Sequence, residues 1–379
     1  MNISMPGRLL LGAALAIVSA SAFTQTPAVP IIKQNFEDSD GGWMVVGEGG
    51  KVSITHDAAD VKNGKAALKL EYTIQKGSMS ALIYPTPDGM LAKAKSLRFW
   101  IKSDTGGTLA AALQEQGGGR YVSFFTAPAG KWQQVELAIS DFVLSEDGND
   151  PPDPNGKLDL DKVDGIAITD IGQILGQADN PDIEKLFSIK RGPHALFVDD
   201  FVVTEDPLAS PANTEPGTLF DNFSRPQIGW LLIGGVKAVS VSGAPLNGKG
   251  LQLDYHQSFG KPTGIIRKVA RGTLAGKNIF SVDIASARPA KLLFQVEEKG
   301  GGKYNVLMDV AGGKTLKTIT IPFSEFKAAD DSKDTNDKLD LDQVNQVLIL
   351  DVDALLNMTE GDNTLWVGNV KAVQGKVDK

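Results

Sequence analysis

The segment Lys157-Leu158-Asp159-Leu160-Asp161-Lys162-Val163 returns almost letter for letter as Lys338-Leu339-Asp340-Leu341-Asp342-Gln343-Val344. Upstream of each copy lie a Gly-rich turn ending in Tyr (Gly117 to Tyr121; Gly300 to Tyr304) and an alternating strand ending in Asp141-Phe142 or Glu325-Phe326. Still earlier, Asn63-Gly64-Lys65 introduces Ala67 to Tyr72, and Asn247-Gly248-Lys249 introduces Leu251 to Tyr255. Landmarks that keep their order and spacing over such a distance predict one domain built twice rather than a solenoid of short units.

Met1 to Arg8, the apolar run Leu9–Val18 and Ala20-Ser21-Ala22 read as a secretory signal over residues 1–22. The run is about ten residues, against the ~20 that a spanning helix needs. A secreted or periplasmic protein is therefore expected, with no membrane insertion once the signal is removed. The sequence has no Cys, which removes disulfides and thiolate zinc sites. Stability must come from core size or from another staple, for which a hard cation is the obvious candidate. A net charge of −8 disfavours nucleic acid and anionic membrane as partners, because both select basic patches.

Strands read by period-two alternation at Ala67–Tyr72, Ser96–Lys102, Leu109–Glu115, Tyr121–Thr126, Gln133–Ile139, Gly165–Thr169 and Ala195–Thr204, and no segment sustains a helical period. Separated by Gly, Pro, Asn and Asp turns, they predict an all-β chain of two tandem antiparallel sandwiches of the jelly-roll kind. Module one spans about 31–206, a Pro-rich linker 207–217 and module two about 218–373. In the repeated segment the aspartates are expected to cap a short helical turn while Leu158, Leu160 and Val163 plug the core. Trp43, Trp132 and Trp230 are expected in the core.

The order of Asn35-Phe36-Glu37, Trp43, Asn63-Gly64-Lys65, Leu97 to Trp100, Gly119-Arg120-Tyr121, Trp132, Asp141-Phe142, Leu158-Asp159-Leu160 and Phe197 to Phe201 resembles galactose-binding-like jelly rolls. The resemblance is to family 11 carbohydrate-binding modules and complex I intermediate-associated domains in particular, and module two is a looser copy. It implies a sandwich with a structural calcium joining its first and last strands, and often glycan binding on the concave face or the loop rim. The residues themselves point the same way: Glu37 lies where the chain comes into the sandwich and Asp199-Asp200 where it leaves, with Lys65 able to add its backbone carbonyl. In module two Ser224 stands for Glu37, and Gly368-Asn369 for the two aspartates, so the acids vanish together. Calcium is expected in module one only.

If Leu97, Phe99 and Ile101 face inward, Arg98, Trp100 and Lys102 face outward. Sugar recognition pairs an apolar ring with planar hydrogen-bonding groups, and Arg98, Trp100, Gln114, Arg120 and Tyr121 supply such types. The alternative is that Trp100 lies under a loop and Tyr121 closes the core. In module two Trp100 becomes Ser281 or Asp283, and the candidates are Gln295, Lys303, Tyr304 and Asp351. A non-catalytic binder of poly- or oligosaccharide is the leading expectation, an envelope structural or protein-interaction module the second, a jelly-roll glycosidase or lyase the third. Against an enzyme stand the lack of a Gly-x-Ser-x-Gly elbow and the scatter of His56, His194 and His256.

Overall fold

Alternation puts one row of each strand's side chains in a core and the other outside. A computed structural model describes residues 29–146, 150–178, 180–208 and 218–376, with side chains in the last span described from 220 onward. The expected signal, most of the leader that follows it and residues 209–217 of the linker lie outside the described residues. All seven strands expected in module one form close to their expected ends, as Ala67–Ile74, Ser96–Ser103, Gly107–Glu115, Arg120–Ala127, Gln133–Ala138, Val163–Asp170 and Gly192–Thr204.

Four six-stranded antiparallel sheets result, two per module. Sheet A orders Lys51–Thr55, Ala67–Ile74, Gly192–Thr204, Ser96–Ser103 and Gln133–Ala138, with Ile32–Gln34 beside Gly192–Thr204. Sheet B orders Val143–Leu144, Arg120–Ala127, Gly107–Glu115, Val163–Asp170, Met79–Pro85 and Met44–Glu48. In module two, sheet C (Lys237–Ser242, Lys249–Gln257, Gly361–Val373, Ile279–Ser286, Lys317–Pro322, with Thr218–Asp221) repeats sheet A strand for strand. Sheet D (Leu231–Ile233, Thr263–Lys268, Val344–Asp351, Ala290–Glu298, Lys303–Val310, Lys327–Ala328) repeats sheet B. Both modules are β-sandwiches.

Leu68, Leu97, Phe99 and Ile101 of sheet A meet Leu109, Leu113, Ile166 and Ile168 of sheet B. Their counterparts Leu251, Phe280, Val282 and Ile284 meet Leu292, Val296, Val347 and Ile349. Trp43 and Trp230 are buried in these cores, as expected, whereas Trp132 is only half-buried and belongs to neither. Each sandwich also buries a tyrosine–carboxylate pair: Tyr72 Oη donates to Asp170 at 2.6 Å and Tyr255 Oη to Asp351 at 2.7 Å. Burial pushes both carboxyls above the usual carboxylate range.

The repeated segment works differently from its expected role. Leu158 and Leu160 do lean on the core and Val163 is fully buried, but the side chain of Asp159 caps nothing. The amide of Asp159 donates to the Glu115 carboxylate, and that of Asp340 to Glu298. Asn155 and Asn336 then tie down the Asp159 and Asp340 side chains at 3.0 and 2.9 Å. Three helices too short to show a period, Ile171–Leu175, Pro181–Leu186 and Asp353–Leu356, fill loops. Asp170 and Asn180 cap the first two by accepting backbone N–H bonds.

Module two is seated on module one. The amide of Thr126 donates to Ile228 O at 2.9 Å and its hydroxyl to Trp230 O at 3.1 Å. The Gln227 carboxamide holds the backbone of Glu136 in both directions, at 3.1 and 2.6 Å. Gly234 N–H reaches Leu186 O at 2.7 Å, and Leu186 and Phe187 pack on Ile233, Leu348, Leu350 and Val352.

Candidate functional site

Three places gather the residues that the sequence singles out. The first joins the two ends of module one. The turn Lys62–Lys65 is grasped from both sides, because Glu37 accepts the Lys65 N–H at 2.9 and 3.1 Å while buried Asp199 accepts the Lys62 and Asn63 amides at 3.0 Å. Asn63 Nδ2 donates to Asp200 at 2.5 Å. Gly64, with φ +71°, permits the closeness: a Cβ there would lie 1.9 Å from Glu37 Oε1. Burial raises the pKa of Asp199 despite those backbone donors.

The structure thus brings Glu37, Lys65, Asp199 and Asp200 to one loop. Their oxygens are the hard donors that calcium takes, and each carboxylate retains lone pairs beyond those its N–H partners use. Among the described residues no three acidic or imidazole groups are gathered as closely as a metal site requires. The donor chemistry therefore suits calcium, while the arrangement is that of a hydrogen-bonded clasp.

The second place is the outer face of sheet A. Trp100 does point outward, half-buried, with Lys62 Nζ 4.1 Å from its ring centre. Arg98, two residues away, lies 3.9 Å from Glu136.

The third is the outer face of sheet B, on which Gln114 and Arg120 sit. Register builds it from cross-strand rows. Val122, Ala112, Ala167, Ile83 and Met44 form one row, and Phe124, Ala110 and Thr169 continue into the next toward Ala81 and Val46. Small residues floor the middle and larger ones stand at the margins, Met44 and Val46 being 46% and 49% exposed. A polar row closes one end: Arg120 Nε donates to Gln114 Oε1 at 3.2 Å and its Nη1 to Asp150 at 2.7 Å. The result is a shallow apolar trough beside a fixed planar guanidinium and carboxamide.

Residues 23–188 match the carbohydrate binding domain (family 11). Module one is similar to the family 11 carbohydrate binding domains. A family 11 module of the cellulosomal cellulase Lic26A-Cel5E of Clostridium thermocellum is 20% identical over 48% of this chain and 98% of that one, with a TM-score of 0.35. The C. thermocellum module solved with a β-1,3-1,4-mixed-linked tetrasaccharide is 22% identical over 45% and 94%, with a TM-score of 0.34. The tandem CBM22-1–CBM22-2 domain of Paenibacillus barcinonensis Xyn10C is 12% identical over 94% and 100%, with a TM-score of 0.32. No curated protein matches the chain in sequence.

Within the family 11-like module, the expected sugar set does not assemble. Arg98 and Trp100 lie on sheet A, Gln114 and Arg120 on the opposite sheet, and the Tyr121 ring is buried in the core with its hydroxyl donating to Asp153. Burial and that carboxylate hold the Tyr121 hydroxyl far above its ordinary pKa. In module two Tyr304 is buried in the same way against Asp334, and Asp351 is the buried partner of Tyr255 rather than a face residue. Gln295 faces outward and donates to Glu297 at 2.6 Å, and Lys303 pairs with Asp331. Register settles the counterpart of Trp100: Trp100 faces Asp199 and Asp283 faces Gly368, so it is Asp283. The trough residues Met44, Val46 and Ile83 were missed. Their signal was the apolar residues of Met44–Glu48 and of Met79–Pro85, weakened because both faces of each strand carry apolar residues.

Proposed function

We propose that this is a secreted or periplasmic, non-catalytic carbohydrate-binding protein whose ligand lies across the outer face of sheet B in module one. What carries the reading is the family 11 match over that module together with the shallow apolar face bordered by Arg120 and Gln114. A pyranose would lay its C–H face along Ala112, Ala167, Ile83 and Met44 and offer hydroxyls to the guanidinium and carboxamide. A binding rather than catalytic role is supported by the engagement of the nearby acids: Asp150 pairs with Arg120, Asp153 with Tyr121, and Glu115 with a backbone amide. Structural calcium at Glu37, Lys65 O, Asp199 and Asp200 remains part of the proposal, on their donor chemistry and common loop.

The test is a glycan array followed by titration with the retained sugar, with and without EDTA. Arg120→Ala is expected to weaken binding at least tenfold, as loss of a hydrogen bond to a charged group costs about 1.5–3 kcal/mol. Retained binding in that variant, with loss in Trp100→Ala, would move the site to sheet A.

One observation favours an envelope-protein partner as the second reading. Phe259, Leu355, Leu356 and Met358 stand 45–60% exposed at one end of module two, where Gly260 N–H bonds to Ala354 O. A protein co-purifying with the full chain and lost on Phe259→Ser would support it.

A further inference from the structure

The boundary between the modules is fixed by the bonds of Thr126, Gln133, Gln227 and Gly234, so a groove along it is a preformed feature rather than a gap between loosely tethered units. Such a groove exists. One part, of about 370 Å³, lies between Leu144 and Glu146 of module one and Arg271, Lys299, Glu297 and Gln346 of module two. A second part, of about 280 Å³, continues toward Asp141, Arg225 and Arg267 and shares Val143, Lys268, Val269 and Ala270 with the first.

The lining combines the two things a sugar chain needs. Val143, Leu144, Val269 and Ala270 give an apolar strip, and around it stand planar or charged groups whose positions are already set. Glu146 bridges the modules, 2.8 Å from Arg271 and 2.6 Å from Lys299. Glu297 accepts from Gln346 at 3.0 Å and from Gln295 at 2.6 Å. Beneath this wall Asn345 Oδ1 is shielded from water and has no hydrogen-bond partner among the described residues. The cations Lys268, Arg271 and Lys299 share this lining with the acids Glu146, Glu297 and Glu298, so the groove carries no single-sign field. Such a lining suits hydroxyls, which both donate and accept, better than it suits an anion.

We infer that the inter-module groove is a second binding site, for a neutral oligosaccharide chain, built jointly by the two modules. This rests on the carbohydrate-binding reading above, but on different residues. It gives module two a role in recognition.

The test uses the full chain and affinity electrophoresis in soluble β-glucan, xylan and galactan, with polygalacturonate as the acidic control. Ala270 is exposed and lines the groove, so Ala270→Trp fills it without touching a core. Gln346→Ala removes one polar group, and unchanged melting of both variants checks their folding. Each is expected to weaken retention by a neutral polysaccharide about tenfold or more. Full retention in both, with loss in Arg120→Ala, would overturn the groove and leave the trough standing. Retention of none of the neutral polymers by the unmodified protein would overturn both sites. Retention of polygalacturonate alone would overturn the neutral class of ligand.

Discussion

The two modules share a strand order but close their ends by different chemistry, and the contrast separates what the sandwich needs from what one copy added. Both keep the same backbone features at the closure. Phe36 and Phe223 take φ of 60° and 57°, and Asp200 and Asn369 take 48° and 44°. Asp and Asn tolerate this left-handed region, so the exchange keeps the backbone conformation and discards only the charge. In module one the space beside it holds Asp199 and the amides of Lys62 and Asn63. In module two Gly368 vacates that carboxylate position, Leu246 packs against Trp366 and Ala285, and Asn369 donates to Asp283 at 2.7 Å. A polar clasp became a largely apolar one without change of topology.

If the cores are equivalent, the largest effect should be symmetric. Trp43→Ala and Trp230→Ala should each cost about 3–5 kcal/mol in chemical denaturation, the range for large aromatic truncations in cores. Trp230 also donates to Asp221 at 2.9 Å beside Arg267, so its loss removes a hydrogen bond as well as packing. A much smaller cost at either site would break the equivalence.

Calcium should act asymmetrically. Added to the full chain at a hundred times its Kd, the ion would stabilise module one by about 2.7 kcal/mol. In hydrogen exchange, EDTA should then speed exchange in Ala67–Ile74 and Gly192–Thr204 while leaving Lys249–Gln257 and Gly361–Val373 unchanged. An equal response of both modules, or none in either, would count against the ion.

The smallest effect concerns pH. A carboxyl whose pKa is raised in the folded state binds its proton more tightly there than in the unfolded chain. It therefore contributes stability below the unfolded value of about 3.9 that is lost as pH rises through the folded value. Asp170 and Asp351 both behave this way, for the same reason of burial. Stability measured by urea denaturation should therefore fall as pH rises from about 4 through the folded pKa values. Asp170→Asn and Asp351→Asn should each flatten that fall by a similar amount. A steeper fall in any of these variants would sharpen the comparison against us.

The duplication, the strands of module one and the paired landmarks Tyr72/Tyr255 and Tyr121/Tyr304 could be read from the chain, because period-two alternation and turn residues are local signals. The gathering of Glu37 with Asp199 and Asp200 could be read as well, since a sandwich brings its two ends together. Alternation divides a strand's residues between two faces, but it does not say which outer face stays open or which sheet a strand joins. Those depend on pairings between residues about a hundred positions apart, such as Asp199 with Trp100 or Ile228 with Thr126. Only the tertiary structure therefore put Trp100 and Arg120 on opposite sheets, left the trough open on sheet B and seated one module on the other to make a groove.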